Sequence, residues 1–255
     1  MIDVHSHILP NVDDGAPDLT ASLDMARQAV NNGISTVFAT PHHRNGRFEN
    51  SKEDILMKTE ELNLALSQHQ IPLTILPGQE IRLYSEFLED LAAGKLLTLN
   101  NMNKYILIEL PSNRVPGYAR QVIYECTLKD ITPVIVHPER NSAIMENPDL
   151  LYELVKEGAL TQVTASSITG AFGKRISSFS ISLIDHHLTH FIASDAHNNS
   201  SRGFSLWEAY EEIGKKFDNT VAYYLRENAQ LVVNNQSIYA EEPTRIKKRK
   251  RLGIF

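Results

Sequence analysis

Seven short apolar, β-rich runs alternate with helix-patterned segments along this chain, and six of the seven end on histidine, aspartate or glutamate. The runs cover residues 2–5, 34–39, 73–76, 105–108, 131–136, 160–163 and 190–193. Strands that alternate with helices specify a parallel sheet, and near-continuous apolar runs are what strands covered on both faces look like. Helical spacing or capping signals appear over residues 18–32, 51–68, 85–93, 118–129, 150–157, 179–187, 204–216 and 220–233. Ser51 with Asp54 three residues on reads as a capping pair, and Asp149 after Pro148 as a helix cap.

The length of 255 residues suits one parallel (β/α) barrel, which typically takes about 250. Seven units without an intervening linker favour such closure over two separate domains. No apolar run approaches the ~18 residues of a membrane span, and the first residues lack the basic start and apolar stretch of a signal peptide. The expectation is a soluble cytoplasmic protein. Cys126 is the single cysteine, which leaves no disulfide framework and no thiolate zinc knuckle. Residue chemistry must therefore come from His, Asp and Glu.

Net charge is -6, yet Arg245, Lys247, Lys248, Arg249, Lys250 and Arg251 cluster near the end; setting those six aside leaves 19 basic against 31 acidic residues. The domain reading is a body over 1–240 and a basic tail over 241–255. An acidic body excludes nucleic acid as its partner, since phosphate backbones need a positive surface. The tail reads either as a solubilising end or as a contact to anionic lipid or an acidic partner, with peripheral membrane association as the consequence.

In a parallel barrel all carboxyl-terminal strand ends share one face. His5 and His7, His42, Glu80, Glu109, His137, and Asp195 with His197 then become neighbours, and Asp14 joins from the turn after the first run. Neutral imidazole with carboxylate is a donor set for divalent cations such as manganese, iron or zinc. Asp3, inside the first strand, fits a role behind the ligands. His69, His186, His187 and His190 lie in helices, helix ends or a strand start, and read as structural or solvated.

The ordered motifs His5-Ser6-His7, Asp13-Asp14-Gly15, Thr40-Pro41-His42-His43, Gly78-Gln79-Glu80, Ile108-Glu109, His137-Pro138-Glu139-Arg140 and Ser194-Asp195-Ala196-His197 resemble those of the polymerase and histidinol phosphatase (PHP) superfamily. Within it the chain is most similar to the bacterial tyrosine-protein phosphatases of capsule and exopolysaccharide clusters, of the CpsB, CapC and YwqE type. The resemblance implies a distorted parallel (β/α)7 TIM-like barrel of the PHP type that holds three divalent ions, commonly manganese. His5, His7, Glu80 and Asp195 would hold one ion, with Glu80 bridging to a second on Glu109 and His137. Asp14, His42 and His197 would hold the third. His43, Arg140 and Arg202 would complete the catalytic set, with the arginines as phosphate clamps.

The implied reaction is hydrolysis of phosphotyrosine by a metal-bridging hydroxide, without a phosphoenzyme. Its leaving phenolate, of parent pKa about 10, needs little protonation. The implied substrate is the C-terminal tail of a bacterial tyrosine kinase. Rival readings are a histidinol-phosphatase-like phosphoesterase, and a kinase-binding adaptor without turnover. An amidohydrolase would commonly place lysine where Glu109 stands. A cysteine phosphatase needs an arginine six residues after its thiol, and Thr132 occupies that place after Cys126.

Overall fold

The structure, a computed structural model, describes residues 1–247. The basic positions Lys248 to Arg251 lie outside the described residues. Nine strands appear: β1 (Ile2–Ser6), β2 (Thr36–Ala39), β3 (His42–His43), β4 (Thr74–Pro77), β5 (Glu80–Arg82), β6 (Tyr105–Glu109), β7 (Thr132–Val136), β8 (Leu160–Thr164) and β9 (Phe191–Ala193). All named pairs are parallel, in sheets of order β1-β2-β4 and β3-β5-β6-β7-β8-β9. The seven expected strands become nine because two of them break, at Thr40-Pro41 and at Gly78-Gln79. A Cβ on Gly78 would stand 2.8 Å from Leu99 and 2.9 Å from Thr40, so the second break requires glycine. Beyond β9 the backbone returns to β1, where the His7 N–H donates to Ala196 O at 2.8 Å and the Asp195 N–H to His5 O at 2.9 Å.

Ten helices cover the sheets: α1 (Leu19–Asn31), α2 (Lys52–Gln68), α3 (Phe87–Ala92), α4 (Ala119–Thr127), α5 (Ser142–Glu146), α6 (Asp149–Lys156), α7 (Ala165–Thr169), α8 (Lys174–Asp185), α9 (Leu206–Lys216) and α10 (Asn219–Val233). Apolar strand residues divide by alternation between two cores. Val4, Phe38, Leu107, Val134 and Phe191 pack in one; Val37, Ile106, Ile108 and Ile135 meet the helices in the other. Among the described residues no helix is long and apolar enough to cross a membrane.

Local signals set most helix starts. Asp18 and Ser51 accept from Ala21 N and Asp54 N, and the Ser51 hydroxyl donates back to Asp54. Asp149 departs from its expected role. Helix α6 begins on that residue, with Pro148 at the cap, and its carboxylate instead pairs with Arg245 at 2.9 Å. Arg245 also meets Glu153 at 2.5 Å and stands 4.1 Å over the Tyr152 ring, so this first member of the basic cluster is fastened to α6.

His190 is structural rather than solvated. Its Nδ1 accepts from Thr161 N–H at 3.1 Å, and burial, with a smaller contribution from His187, pushes the imidazole down to about 4. The unfolded imidazole titrates near 6.5 and takes up a proton the folded one refuses. Stability from His190 is therefore complete above about pH 6.5 and is lost as pH falls toward 4, by on the order of 3 kcal/mol. In thermal melts from pH 7 to 4.5, His190→Phe should show a flatter loss of Tm than the unaltered chain, although it is less stable throughout.

Candidate metal centre

The carboxyl-terminal strand ends bring nine side chains into one connected cluster. His5 and His7 share a face of β1 and its extension, with their Nε2 atoms 3.3 Å apart. Glu80 Oε2 lies 3.4 Å from His5 Nε2 and 3.3 Å from His7 Nε2, while Asp195 Oδ1 lies 3.5 and 3.3 Å from the same two atoms. Donors about 2.1 Å from a common ion in tetrahedral array sit roughly 3.4 Å from one another. His5, His7 and Glu80 have that spacing, and Asp195 stands at the same distance from the two imidazoles.

Glu80 extends the cluster. Its Oε1 lies 2.7 Å from His137 Nε2 and its Oε2 2.7 Å from His42 Nδ1, with Glu109 Oε2 3.9 Å from that same nitrogen. On the far side Asp14 Oδ1 is 3.4 Å from His42 Nε2 and 3.6 Å from His197 Nε2. Three groups of convergent donors result: His5, His7 and Glu80; His42, Glu80 and Glu109; and His7, Asp14, His42 and His197. His7 and His42 thus serve more groups than the sequence reading assigned them. His42 Nδ1 and Glu80 Oε2, close but not aligned for a hydrogen bond, and His197 Nε2 are buried without a hydrogen-bond partner, which is costly unless a cation completes them. The residues present fit divalent metal.

Electrostatics separates these groups. Burial works to raise the Glu80 pKa, but His42 and His5 outweigh it and hold the carboxyl well below its usual range. Asp195 is held down likewise, by Arg140 first among its partners, against burial. Burial and the Glu80 charge raise Glu109, with Arg82 opposing. His137 is pushed down to about 4 by burial and by Arg140, so its imidazole is neutral and available to a metal. The backbone of His137 and of Asp195 is left-handed, at φ 37° and 51°.

A second set of residues aims the first, and sequence reasoning missed most of it. Asp13 Oδ2 accepts from His7 Nδ1 at 2.6 Å and from the His42 N–H at 3.0 Å. Gln162, from β8, the one of the seven sequence-read runs that ends on no ligand, places its Oε1 2.9 Å from His5 Nδ1. Asp3 accepts from the Ser194 N–H and hydroxyl, as expected of a residue behind the ligands. Arg82 grips Glu109 through two bonds of 2.8 and 2.9 Å. Such partners fix tautomer and ring orientation. Asp13→Ala should therefore weaken metal affinity about 10- to 100-fold, measured by competition with a chelating dye.

Arg140 and Arg202 reach Asp195 Oδ2 at 2.7 and 2.9 Å. Both line a cavity of about 210 Å³ with His42, Glu109, His137 and Asp195. His43 is not part of this arrangement. As the next residue of β3 it faces the other way, half-buried, and burial and the Arg44 charge lower its pKa while Asn50 and Glu49 oppose them. Strand alternation thus removes it from the reacting cavity.

A parallel α/β scaffold with clustered imidazoles and carboxylates at its strand ends, beside an arginine-lined cavity, defines a metal-dependent hydrolase. Residues 1–234 match the family model described as capsular polysaccharide synthesis, CpsB/CapC, and the chain belongs to that family. The tyrosine-protein phosphatase YwqE of Bacillus subtilis (strain 168) is 49% identical over 255 residues, covering 100% of both chains. A solved chain from the crystal structures of YwqE from Bacillus subtilis and CpsB from Streptococcus pneumoniae, described as metal-dependent tyrosine phosphatases, aligns with a TM-score of 0.95 at 49% identity, covering 97% of this chain and 100% of that one. Histidinol phosphate phosphatase from Lactococcus lactis subsp. lactis Il1403 aligns with a TM-score of 0.50 at 12% identity over 90% of this chain and 92% of that one, a likeness of fold alone.

Proposed function

We propose that this chain is a metal-dependent protein-tyrosine phosphatase acting on a bacterial tyrosine kinase, chiefly its C-terminal tail, in capsule or exopolysaccharide regulation. The observation that carries the reading is the convergence of seven metal-type ligands, with His137 and Asp195 joined to them through Glu80, His5 and His7, beside Arg140 and Arg202, in a chain 49% identical to YwqE along its whole length. The scaffold is read as a distorted (β/α)7 barrel, supported by the backbone bonds from His7 and Asp195 that link β1 to the segment after β9. Three divalent ions are proposed, Mn2+ first, with Fe or Zn as alternatives. His5, His7, Glu80 and Asp195 would hold one, Glu80, Glu109 and His137 the second, and Asp14, His42 and His197 the third.

Divalent cations supply Lewis acidity there, activating water and neutralising phosphoryl charge. The chain's own residues do the rest. Arg140 and Arg202 already converge on one carboxylate oxygen, and their planar forks suit the oxygens of a phosphoryl group entering the cavity. The buried Glu80 and Asp195 stay ionised, so each presents acceptor oxygens only. A tyrosyl phenolate leaves without a strong acid beside it. Cys126 takes no part: it is fully buried and its thiol is pushed up to about 12, chiefly by burial, which denies it a thiolate.

The deciding experiment is turnover of a phosphotyrosine peptide against histidinol phosphate. Peptide turnover should be strongly preferred, abolished by EDTA, restored by Mn2+, and unchanged in Cys126→Ala. Loss of activity in Cys126→Ala, or activity that survives complete chelation, would refute the proposal.

A further inference from the structure

Among the described phenylalanines, six belong to or pack against the two apolar cores, whereas Phe48 and Phe172 do neither. Both are half-buried, and each rests on a residue of the cavity. The Phe48 ring lies 6.3 Å from the His42 imidazole, parallel to within 8°. Arg140 carries its guanidinium 5.7 Å from the Phe172 ring. His42 and Arg140 line the same cavity. Phe48 is also held in place: the Asn45 side-chain oxygen accepts from the N–H groups of Arg47 and Phe48 at 3.0 and 2.8 Å, and Arg47 sits 4.9 Å over the ring.

Two aromatic rings that take no part in a core, on separate loops and against one cavity, need another reason to be fixed there. We propose that Phe48 and Phe172 are the specificity-determining contacts for the substrate's ring, so that the site favours aryl over aliphatic phosphate esters. This rests on the phosphatase reading above and names the residues that would impose its aromatic preference. The rings offer flat, poorly hydrated surface behind His42 and Arg140, beside a cavity whose lining already includes Leu110, Val136 and Pro138. A phenyl ring gains there by edge or offset stacking, whereas a serine or glycerol ester has no such surface to offer.

The test uses the full chain loaded with Mn2+ and compares phenylphosphonate, methylphosphonate and inorganic phosphate as competitive inhibitors of phosphotyrosine-peptide hydrolysis. The unaltered protein should bind phenylphosphonate about tenfold or more tighter than methylphosphonate. Each of Phe48→Leu and Phe172→Leu should weaken phenylphosphonate by about three- to tenfold, the double variant should erase the preference, and methylphosphonate and phosphate should hold their inhibition constants. Phe48→Tyr and Phe172→Tyr should keep the preference. If the double variant hydrolyses the peptide yet retains the preference, or if all three inhibitors weaken equally because the rings only brace His42 and Arg140, the proposal falls while the phosphatase reading stands. A metal-loaded protein that hydrolyses no phosphotyrosine peptide overturns both.

Discussion

Glu80→Gln should reduce turnover of a phosphotyrosine peptide on the order of 1,000-fold or more while the circular dichroism spectrum of the chain stays unchanged. Glutamine keeps the shape but not the charge, and the charge of Glu80 faces four imidazoles: His5, His7 and His42 from one oxygen and His137 from the other. No other carboxylate of the cluster meets as many imidazoles; Asp195 meets three, His5, His7 and His197. Metal content measured by plasma mass spectrometry should fall together with activity. A variant that keeps a tenth of the activity with full metal content would remove Glu80 from its central place.

Arg140→Ala should lower kcat/KM on the order of 100-fold or more, and should weaken competitive inhibition by inorganic phosphate. Arg140 is the more buried of the two arginines and makes the shorter contact to Asp195, at 2.7 Å against 2.9 Å for Arg202. Arg202→Ala should therefore cost less. Because the two guanidiniums meet at one oxygen, their losses should not add, and a double-mutant cycle reads the coupling. Arg140→Lys keeps the charge but loses the fork, so it should recover only part of the loss. Steady-state kinetics on an aryl phosphate checks all three; equal effects of the two alanine variants would show that the clamp has no senior member.

The strand ends were legible because a parallel strand buried on both faces leaves an unbroken apolar run, and a charged residue at its end stands out. Ile108-Glu109 and Val136-His137 show this plainly. Histidines placed side by side were harder: in His42-His43 only the pleat decides which ring enters the cavity, and composition is blind to it. The aiming residues were hidden for another reason. Gln162 looks like an ordinary polar residue until the fold carries it to His5, 157 positions away. The one available signal was a long amide side chain inside a run read as a strand, between Thr161 and Val163. Asp13 stands in the Asp13-Asp14-Gly15 motif, but its task of orienting His7 depends on a turn that spacing does not reveal. Helices α5 and α7, five residues each, are too short to print a periodicity.

The left-handed backbone at His137 and Asp195 has a consequence for the chain's history. A residue with a Cβ gives up stability in that conformation, and glycine would regain it. Both positions nonetheless carry side chains of the cluster, and Asp195 also anchors Arg140 and Arg202. A lineage released from phosphate chemistry would be expected to drift toward glycine or asparagine at His137 first, since Asp195 could go only together with the arginines it holds.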